Sequence, residues 1–190
     1  MEDGYVKFET HLEKSDVVDK KDIQELNSVR EKLRKKNLIG MKDNGVGFGN
    51  ISKRFKEGFL VTATATGGKE VLTSEDYSYV YNYSIENNEL FCKGKKEASS
   101  ESLTHAAIYG ANPEIGAVIH IHSLEMWEKY LGELPTTPKD AEYGTPEIAE
   151  ATKEKVDGTK GLIIMGGHKE GILAYGEGIR DAYNQVEKIL

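Results

Sequence analysis

Hydrophobic and polar positions follow two different periods along the chain, and these periods predict strands and helices in alternation. From residue 6 to residue 12, every second side chain is apolar or a threonine, and those between are charged or histidine. Such alternation is typical of a half-buried strand, so residues 1–19 are expected to form an N-terminal strand or a loosely held arm. From residue 20 to residue 36, apolar side chains recur at helical spacing until Gly40 follows, which predicts a helix.

The remaining chain divides into short elements. Period-two or continuous apolar runs predict strands at 51–54, 59–62, 89–92, 115–123, 161–165 and 171–175. Helical spacing and capping residues predict helices at 73–81, 99–109, 124–131, 145–156 and 179–189. Thr73 and Asp76 supply an N-terminal capping pair for the first of these helices. Several strands are linked too closely for helical crossovers, so we expect a mostly antiparallel or mixed sheet with packed helices, in one domain spanning 1–190.

Charge and composition narrow the class of protein. The chain has 25 Lys+Arg and 32 Asp+Glu, a formal net charge of −7, which argues against a general nucleic-acid binder because phosphate neutralisation needs a basic face. Its single cysteine, Cys92, cannot form an internal disulfide. No apolar run follows a basic flank at the N-terminus, and runs such as Leu162–Met165 are far shorter than the roughly 20 residues that span a bilayer. We therefore expect a soluble, cytoplasmic protein without a membrane partner.

The pair His120 and His122 is the sharpest chemical feature of the sequence. On a strand, residues two apart point to the same face, so both imidazoles stand side by side. Two neutral imidazoles at this spacing suit a divalent metal such as Zn²⁺, although a solvated pair, or a buried hydrogen-bonded one, fits the spacing as well. His168, in a Gly-Gly-His turn after an apolar strand, could supply a third nitrogen.

Other polar groups lie near the predicted turns and helix starts. Glu101 falls in the first turn of a predicted helix, where an acid is favoured by the helix dipole alone, yet its carboxylate could also reach a metal as ligand or proton shuttle. Ser99, Ser100, Gly49, Asn50 and the stretch 62–68 are hydroxyl, amide and glycine groups of the kind that bind phosphate through backbone N–H donors.

Four sequence blocks together resemble the class II aldolase and adducin superfamily, and within it the fuculose-phosphate aldolases. Residues 49–54 resemble its Gly-Asn-x-Ser-x-Arg element, and residues 62–67 are similar to its Thr-Pro-Ser/Thr-Gly loop with altered spacing. Residues 99–105 resemble its Ser-Ser-Glu-x3-His helix. Residues 117–123 resemble its metal-binding strand, and His168 falls where the third histidine belongs.

This resemblance implies a three-layer α/β/α fold with a central, mostly antiparallel sheet. It implies one Zn²⁺ or another divalent metal per subunit, held by His120, His122 and His168, with Glu101 as a ligand in the empty site and the acid/base in turnover. The substrate phosphate would be held by Gly49, Asn50, Thr66, Gly67, Ser99 and Ser100. His105 matches the motif and is expected to pack or support rather than ligate. Family members usually form homotetramers with active sites at subunit interfaces.

The implied activity is a zinc-dependent lyase that cleaves a small sugar phosphate of the ketose 1-phosphate type in a reversible aldol reaction, through a metal-stabilised enediolate. Two other enzymatic interpretations use the same site: a sugar-phosphate 4-epimerase and a sugar-phosphate dehydratase. A third is a non-catalytic, adducin-like interaction module, which the histidines disfavour because such modules lack them.

The sequence departs from the family pattern in three places. His168 is followed by Lys169 and Glu170 where many members have glycine at once. The phosphate loop carries an apparent extra residue, which makes Thr64 an alternative to Thr66. Family aldolases carry a C-terminal tail with a tyrosine that helps proton transfer, and the sequence shows no such tail, so Tyr143 is the candidate to replace that tyrosine.

Overall fold

A computed structural model describes residues 6–190, within which ten strands form an eight-stranded sheet and a two-stranded ribbon. The strands of the large sheet are β1 (Glu9–Lys14), β4 (Asn50–Phe55), β5 (Gly58–Thr62), β6 (Tyr77–Ser84), β7 (Glu89–Gly94), β8 (Ala117–His122), β9 (Gly161–Ile164) and β10 (Gly171–Gly176). The ribbon consists of β2 (Gly40–Met41) and β3 (Gly47–Phe48). The helices are α1 (Lys20–Lys35), α2 (Ser102–Ala111), α3 (Leu124–Tyr130), α4 (Pro146–Glu154) and α5 (Ile179–Glu187).

The large sheet is mixed, with the strand order β1-β7-β6-β5-β4-β8-β10-β9. Six of its seven described pairings are antiparallel, and the parallel one joins β1 to β7 at the edge. This confirms the predicted α/β class. The short connections between β4 and β5 and between β6 and β7 explain two of these antiparallel pairings, because neighbouring strands joined by tight turns must reverse direction.

Helices pack in two groups on the sheet, each with its own apolar cluster. The first cluster joins α1 and α5 to one set of strand residues, including Ile119 and Ile121 of β8. The second joins α2 and α4 to the alternate set, including Val118. Because side chains alternate along a strand, His120 and His122 share the face of Val118. The two histidines therefore belong to the side of the sheet that α2 covers.

The predicted helix at 73–81 is wrong. The capping box of Thr73 and Asp76 is present, but it closes a single 3₁₀ turn at Ser74–Asp76. The next eight residues, Tyr77–Ser84, form strand β6, where four tyrosines and a valine favour extended backbone. The Asp76 carboxylate also accepts hydrogen bonds from Lys69 and Lys96 at 2.7 and 2.6 Å, which ties this turn to other segments instead of to a following helix.

The predicted N-terminal strand is present as β1, which pairs with β7 from Glu9 to Lys14. Residues 1–5 of the predicted N-terminal segment lie outside the described residues. In the part of the chain that the structure describes, no helix has the length and apolar character needed to cross a membrane.

Candidate metal centre and adjoining cleft

Three histidines meet at one end of the large sheet. His120 and His122 project from β8, which is hydrogen-bonded to β4 on one side and to β10 on the other. His168 belongs to the turn that joins β9 to β10 and is buried like the other two. Gly171, at the start of β10, allows the rings to approach, since a Cβ there would collide with the His168 ring and lie 3.1 Å from the His120 ring.

The Nε2 atoms of the three imidazoles converge. His122 Nε2 lies 3.0 Å from His120 Nε2 and 3.1 Å from His168 Nε2. Nitrogen ligands of one tetrahedral Zn²⁺ ion, each about 2.0–2.1 Å from it, lie roughly 3.3 Å from one another. The spacing of the three nitrogen atoms therefore fits a shared divalent ion.

The hydrogen bond of the second ring nitrogen of His120 determines which of its two nitrogens carries the lone pair. His120 Nδ1 lies 3.3 Å from the Ile172 carbonyl oxygen, which can only accept, so the proton is on Nδ1 and the Nε2 lone pair points into the cluster. Burial, followed by the neighbouring His122 and His168, lowers the pKa of His120 well below its ordinary value. The ring is therefore neutral, which is the form that binds metals.

Glu101 lies beside this cluster at the N-terminal end of α2. Its Oε1 is 3.9 Å from His168 Nε2, and both side chains are buried. Thr104 donates a hydrogen bond of 3.1 Å to Oε2, which orients the carboxylate. The helix itself begins at Ser102, so Glu101 is its N-cap rather than a residue of its first turn, and the positive end of the helix favours the charged carboxylate.

A cleft of about 260 Å³ opens from the histidines. The three histidines and Glu101 line this cleft. Its walls also include all the residues named above as candidates for phosphate binding, which are Gly49, Asn50, Thr66, Gly67, Ser99 and Ser100. Asn50 is buried, and its Oδ1 has no hydrogen-bond partner in the described part of the chain. Such a polar atom beside a cleft is available to a ligand.

Backbone packing fixes the glycine-rich wall of the cleft. A Cβ at Gly67 would collide with the Gly40 carbonyl oxygen and lie 2.9 Å from Gly47 Cα. Thr66 and Thr64 both line the cleft, but the Thr66 hydroxyl donates 2.7 Å to the Ala63 carbonyl oxygen within the loop. Because the Thr66 hydroxyl already donates its proton within the loop, it cannot donate to a ligand. The loop amides are the donors that remain for a ligand, and the Thr66 hydroxyl oxygen can only accept.

His105 and Tyr143 lie next to the cluster in different settings. His105 Nδ1 is 2.7 Å from Ser52 Oγ, and burial lowers the pKa of His105 to about 3, so it stays neutral and packs between α2 and β4. Tyr143 is buried with its ring centroid 5.0 Å from that of His168, and the Lys7 ammonium lies 4.0 Å over its ring. Among the described residues, Tyr143 lines a second depression that also includes His168, and it does not line the cleft with Glu101.

Glu170 is a candidate that the sequence did not identify. Its Oε2 lies 3.5 Å from His122 Nδ1 and 3.3 Å from Lys42 Nζ. Its φ of 73° places it in the left-handed region, which a glutamate rarely adopts without support from its surroundings. A carboxylate that accepts from the outer nitrogen of a ligand histidine orients the ring and raises its basicity. The only signal in the sequence was the Lys169-Glu170 departure itself.

Comparison with known proteins places this geometry in a family. The sequence model of the class II aldolase and adducin N-terminal domain matches residues 36–189. The 5-methylthioribulose-1-phosphate/5-deoxyribulose-1-phosphate aldolase of Escherichia coli O45:K1 is 27% identical over 62% of this chain and 59% of its own length. The L-fuculose phosphate aldolase of Haemophilus influenzae is also 27% identical, over 70% of this chain and 65% of its own. The chain therefore spans less than two thirds of either relative.

Solved structures show the same fold at lower sequence identity. The sugar-phosphate aldolase of Thermotoga maritima has a TM-score of 0.68 at 21% identity, over 88% of this chain and 89% of its own. The l-fuculose-1-phosphate aldolase of Thermus thermophilus has a TM-score of 0.60 at 22% identity, over 86% of each chain.

Proposed function

The chain belongs to the class II aldolase and adducin N-terminal domain family, and on that premise we propose that it is a zinc-dependent lyase acting on a small ketose 1-phosphate. The observation that carries the proposal is the convergence of three buried imidazoles with a buried carboxylate at the end of one cleft. The curated relatives are named as sugar-phosphate aldolases, which supports this substrate class.

We propose that His120, His122 and His168 hold the zinc ion through their Nε2 atoms. When bound, zinc supplies Lewis-acid stabilisation of the negative charge that carbon–carbon cleavage leaves beside a ketone. His120 is kept in the correct tautomer by the Ile172 carbonyl group. Glu101, oriented by Thr104, moves the proton at its Oε1, the carboxylate oxygen nearer the histidines. General acid/base help of this kind contributes about 10²–10⁴-fold to a rate.

The remainder of the cleft serves orientation. We propose that the phosphate of the substrate is held by backbone N–H groups and hydroxyls of Gly49, Asn50, Thr66, Gly67, Ser99 and Ser100. Binding energy from a phosphate remote from the reacting bond keeps the sugar in register with the metal and Glu101.

We also propose, from the family resemblance, a cytoplasmic homotetramer with active sites at the subunit interfaces. Tyr143 stays the candidate for assisting proton transfer, and its contact with His168 supports a place near the reacting groups. Size-exclusion chromatography with light scattering tests the assembly, and a Tyr143→Phe variant tests the tyrosine.

The activity is tested by incubating the zinc-loaded protein with fuculose, rhamnulose and ribulose 1-phosphates. We expect dihydroxyacetone phosphate to be released from at least one of them. Glu101→Gln should reduce the rate by about 10²–10⁴-fold while keeping zinc, because it removes only the group that moves the proton. Glu114→Gln, at an exposed position, is the matched control and should leave the rate unchanged.

Other outcomes would replace this proposal. Products with the carbon number of the substrate, identified by NMR, would indicate an epimerase or a dehydratase. Protein that binds no zinc and turns over none of these sugars would indicate an interaction module instead.

A further inference from the structure

Arg30 is a buried cation whose partners are backbone carbonyl groups. It lies on α1 and is only 3% exposed. Its Nη2 donates to the carbonyl oxygens of Thr66, Gly67 and Lys69, at 2.9, 3.1 and 2.8 Å. Among the described residues, no carboxylate lies within ion-pair distance of the guanidinium, although Asp76 contributes a favourable field from farther away. Burying such a charge is costly unless hydrogen bonds offset the lost hydration, and here the backbone carbonyl groups supply them.

Neighbouring turns of α1 hold the same stretch of chain. Asn27 Nδ2 donates 2.9 Å to the Leu72 carbonyl oxygen, and Arg34 Nη1 donates 3.3 Å to that of Glu70. Asn27, Arg30 and Arg34 are three and four residues apart, so they lie on one face of the helix. This face of α1 therefore holds five carbonyl groups of one stretch of chain, those of Thr66, Gly67, Lys69, Glu70 and Leu72.

The orientation of these carbonyl groups determines where the amides point. In a trans peptide the C=O and the following N–H point in opposite directions. With the Thr66 and Gly67 carbonyls directed at Arg30, the N–H groups of Gly67 and Gly68 point away from α1. In the described chain neither amide donates to a backbone carbonyl, and both glycines line the cleft.

We propose that Arg30 is a positioning residue for a dianionic phosphoryl group bound in the cleft. Arg30 orients the loop so that the Gly67 and Gly68 amides face the anion. It also places a positive charge on the side of the loop away from the cleft, where its hydrogen-bond partners are backbone carbonyl groups. This inference rests on the proposed function and deepens it, because it assigns phosphate recognition to a backbone loop whose shape is set by a residue outside the cleft.

The test measures binding of inorganic phosphate to the zinc-loaded protein by calorimetry. Arg30→Met should weaken phosphate binding by about tenfold or more, because it removes both the charge and the donors. Arg30→Lys keeps the charge but has no planar fork to span three carbonyls, so its loss should be smaller, about three- to tenfold. Both variants should hold one zinc per chain. Arg180→Met, at an exposed ion pair with Glu25, is the matched control and should bind phosphate within about twofold of wild type.

Hydrogen–deuterium exchange of the wild-type protein gives a readout that needs no variant. Phosphate should slow exchange in a peptide covering residues 66–70. Wild-type affinity in a folded Arg30→Met protein would overturn the inference while leaving the proposed function intact. If Arg30→Met does not fold, undiminished affinity in Arg30→Lys overturns it in the same way. Wild-type protein that binds no phosphate would instead remove the phosphate site of the proposed function, and this inference with it.

Discussion

The histidine cluster and the loop at residues 66–70 lie on one cleft but are built in opposite ways. In the cluster, side chains converge from β8 and from the turn before β10, and the backbone is only their support. In the loop, the backbone itself faces the cleft, and a side chain from α1 holds it from behind. The difference teaches that a site formed by side chains can be recognised from the residue types in the sequence. A site formed by peptide groups depends instead on residues of other segments, which orient the backbone.

His120→Ala should have the largest effect and should separate the two regions. It removes one of three converging Nε2 atoms, so bound zinc should fall from about one to below about 0.1 per chain by elemental analysis. Inorganic phosphate should still bind within about threefold of wild type. Gln24→Ala, at an exposed position of α1, is the control and should keep its zinc. Zinc retained at the wild-type level in the His120 variant would contradict the proposed centre, and joint loss of phosphate would show that the two regions act as one.

Glu170→Gln tests whether the cluster depends on groups outside it. The amide keeps the shape of the side chain but loses the charge that attracts the His122 Nδ1 proton, so the zinc dissociation constant should rise about 10–100-fold. A fluorescent chelator competition measures this. Glu31→Gln, which removes an exposed ion pair with Lys35, should leave zinc affinity unchanged. Equal affinities in the two variants would mean that Glu170 does not support the cluster.

Gly67→Ala should have a smaller effect, confined to the loop. Its new Cβ meets the backbone of Gly40 and Gly47, which cannot move aside without shifting the strand pair β2–β3. Phosphate affinity should fall about tenfold in calorimetry, with zinc stoichiometry unchanged. Gly178→Ala is the control, because the nearest atom to a Cβ there is Asp181 Oδ2 at 3.9 Å. Normal phosphate binding in the Gly67 variant would show that the loop amides are not the anion site.

Local periodicity predicted most of the fold. The helix at α1 and the strands at β4, β5, β7 and β10 follow apolar spacing that each segment carries by itself. The prediction for 73–81 failed because its capping pair is a local signal, whereas β6 pairs with β5 across the long connection 63–76. The parallel pairing of β1 with β7 could not be predicted from local periodicity either, because it depends on contact with a segment about 80 residues away.

The candidate site divides in the same manner. The histidines and Glu101 were identified because their side chains have a recognisable chemistry and spacing. Arg30 and Glu170 were not, because their roles depend on partners from distant segments. One signal for Arg30 was present: it occupies a position of the apolar stripe of α1, between Leu26 and Leu33, where a charge needs a buried partner.

The double-sided pairing of β8 has a consequence for how the proposed metal centre would acquire an ion. Because β4 and β10 fix this strand on both flanks, folding alone gathers the nitrogen ligands, and little chain entropy remains to be lost when an ion arrives. Small zinc domains differ in this respect, because the free energy of binding their ion supplies the free energy of folding. Here a chelator should strip the ion and leave the far-ultraviolet circular dichroism intact, so that the emptied protein can be reloaded with cobalt or manganese and compared, ion by ion, on one unchanged scaffold.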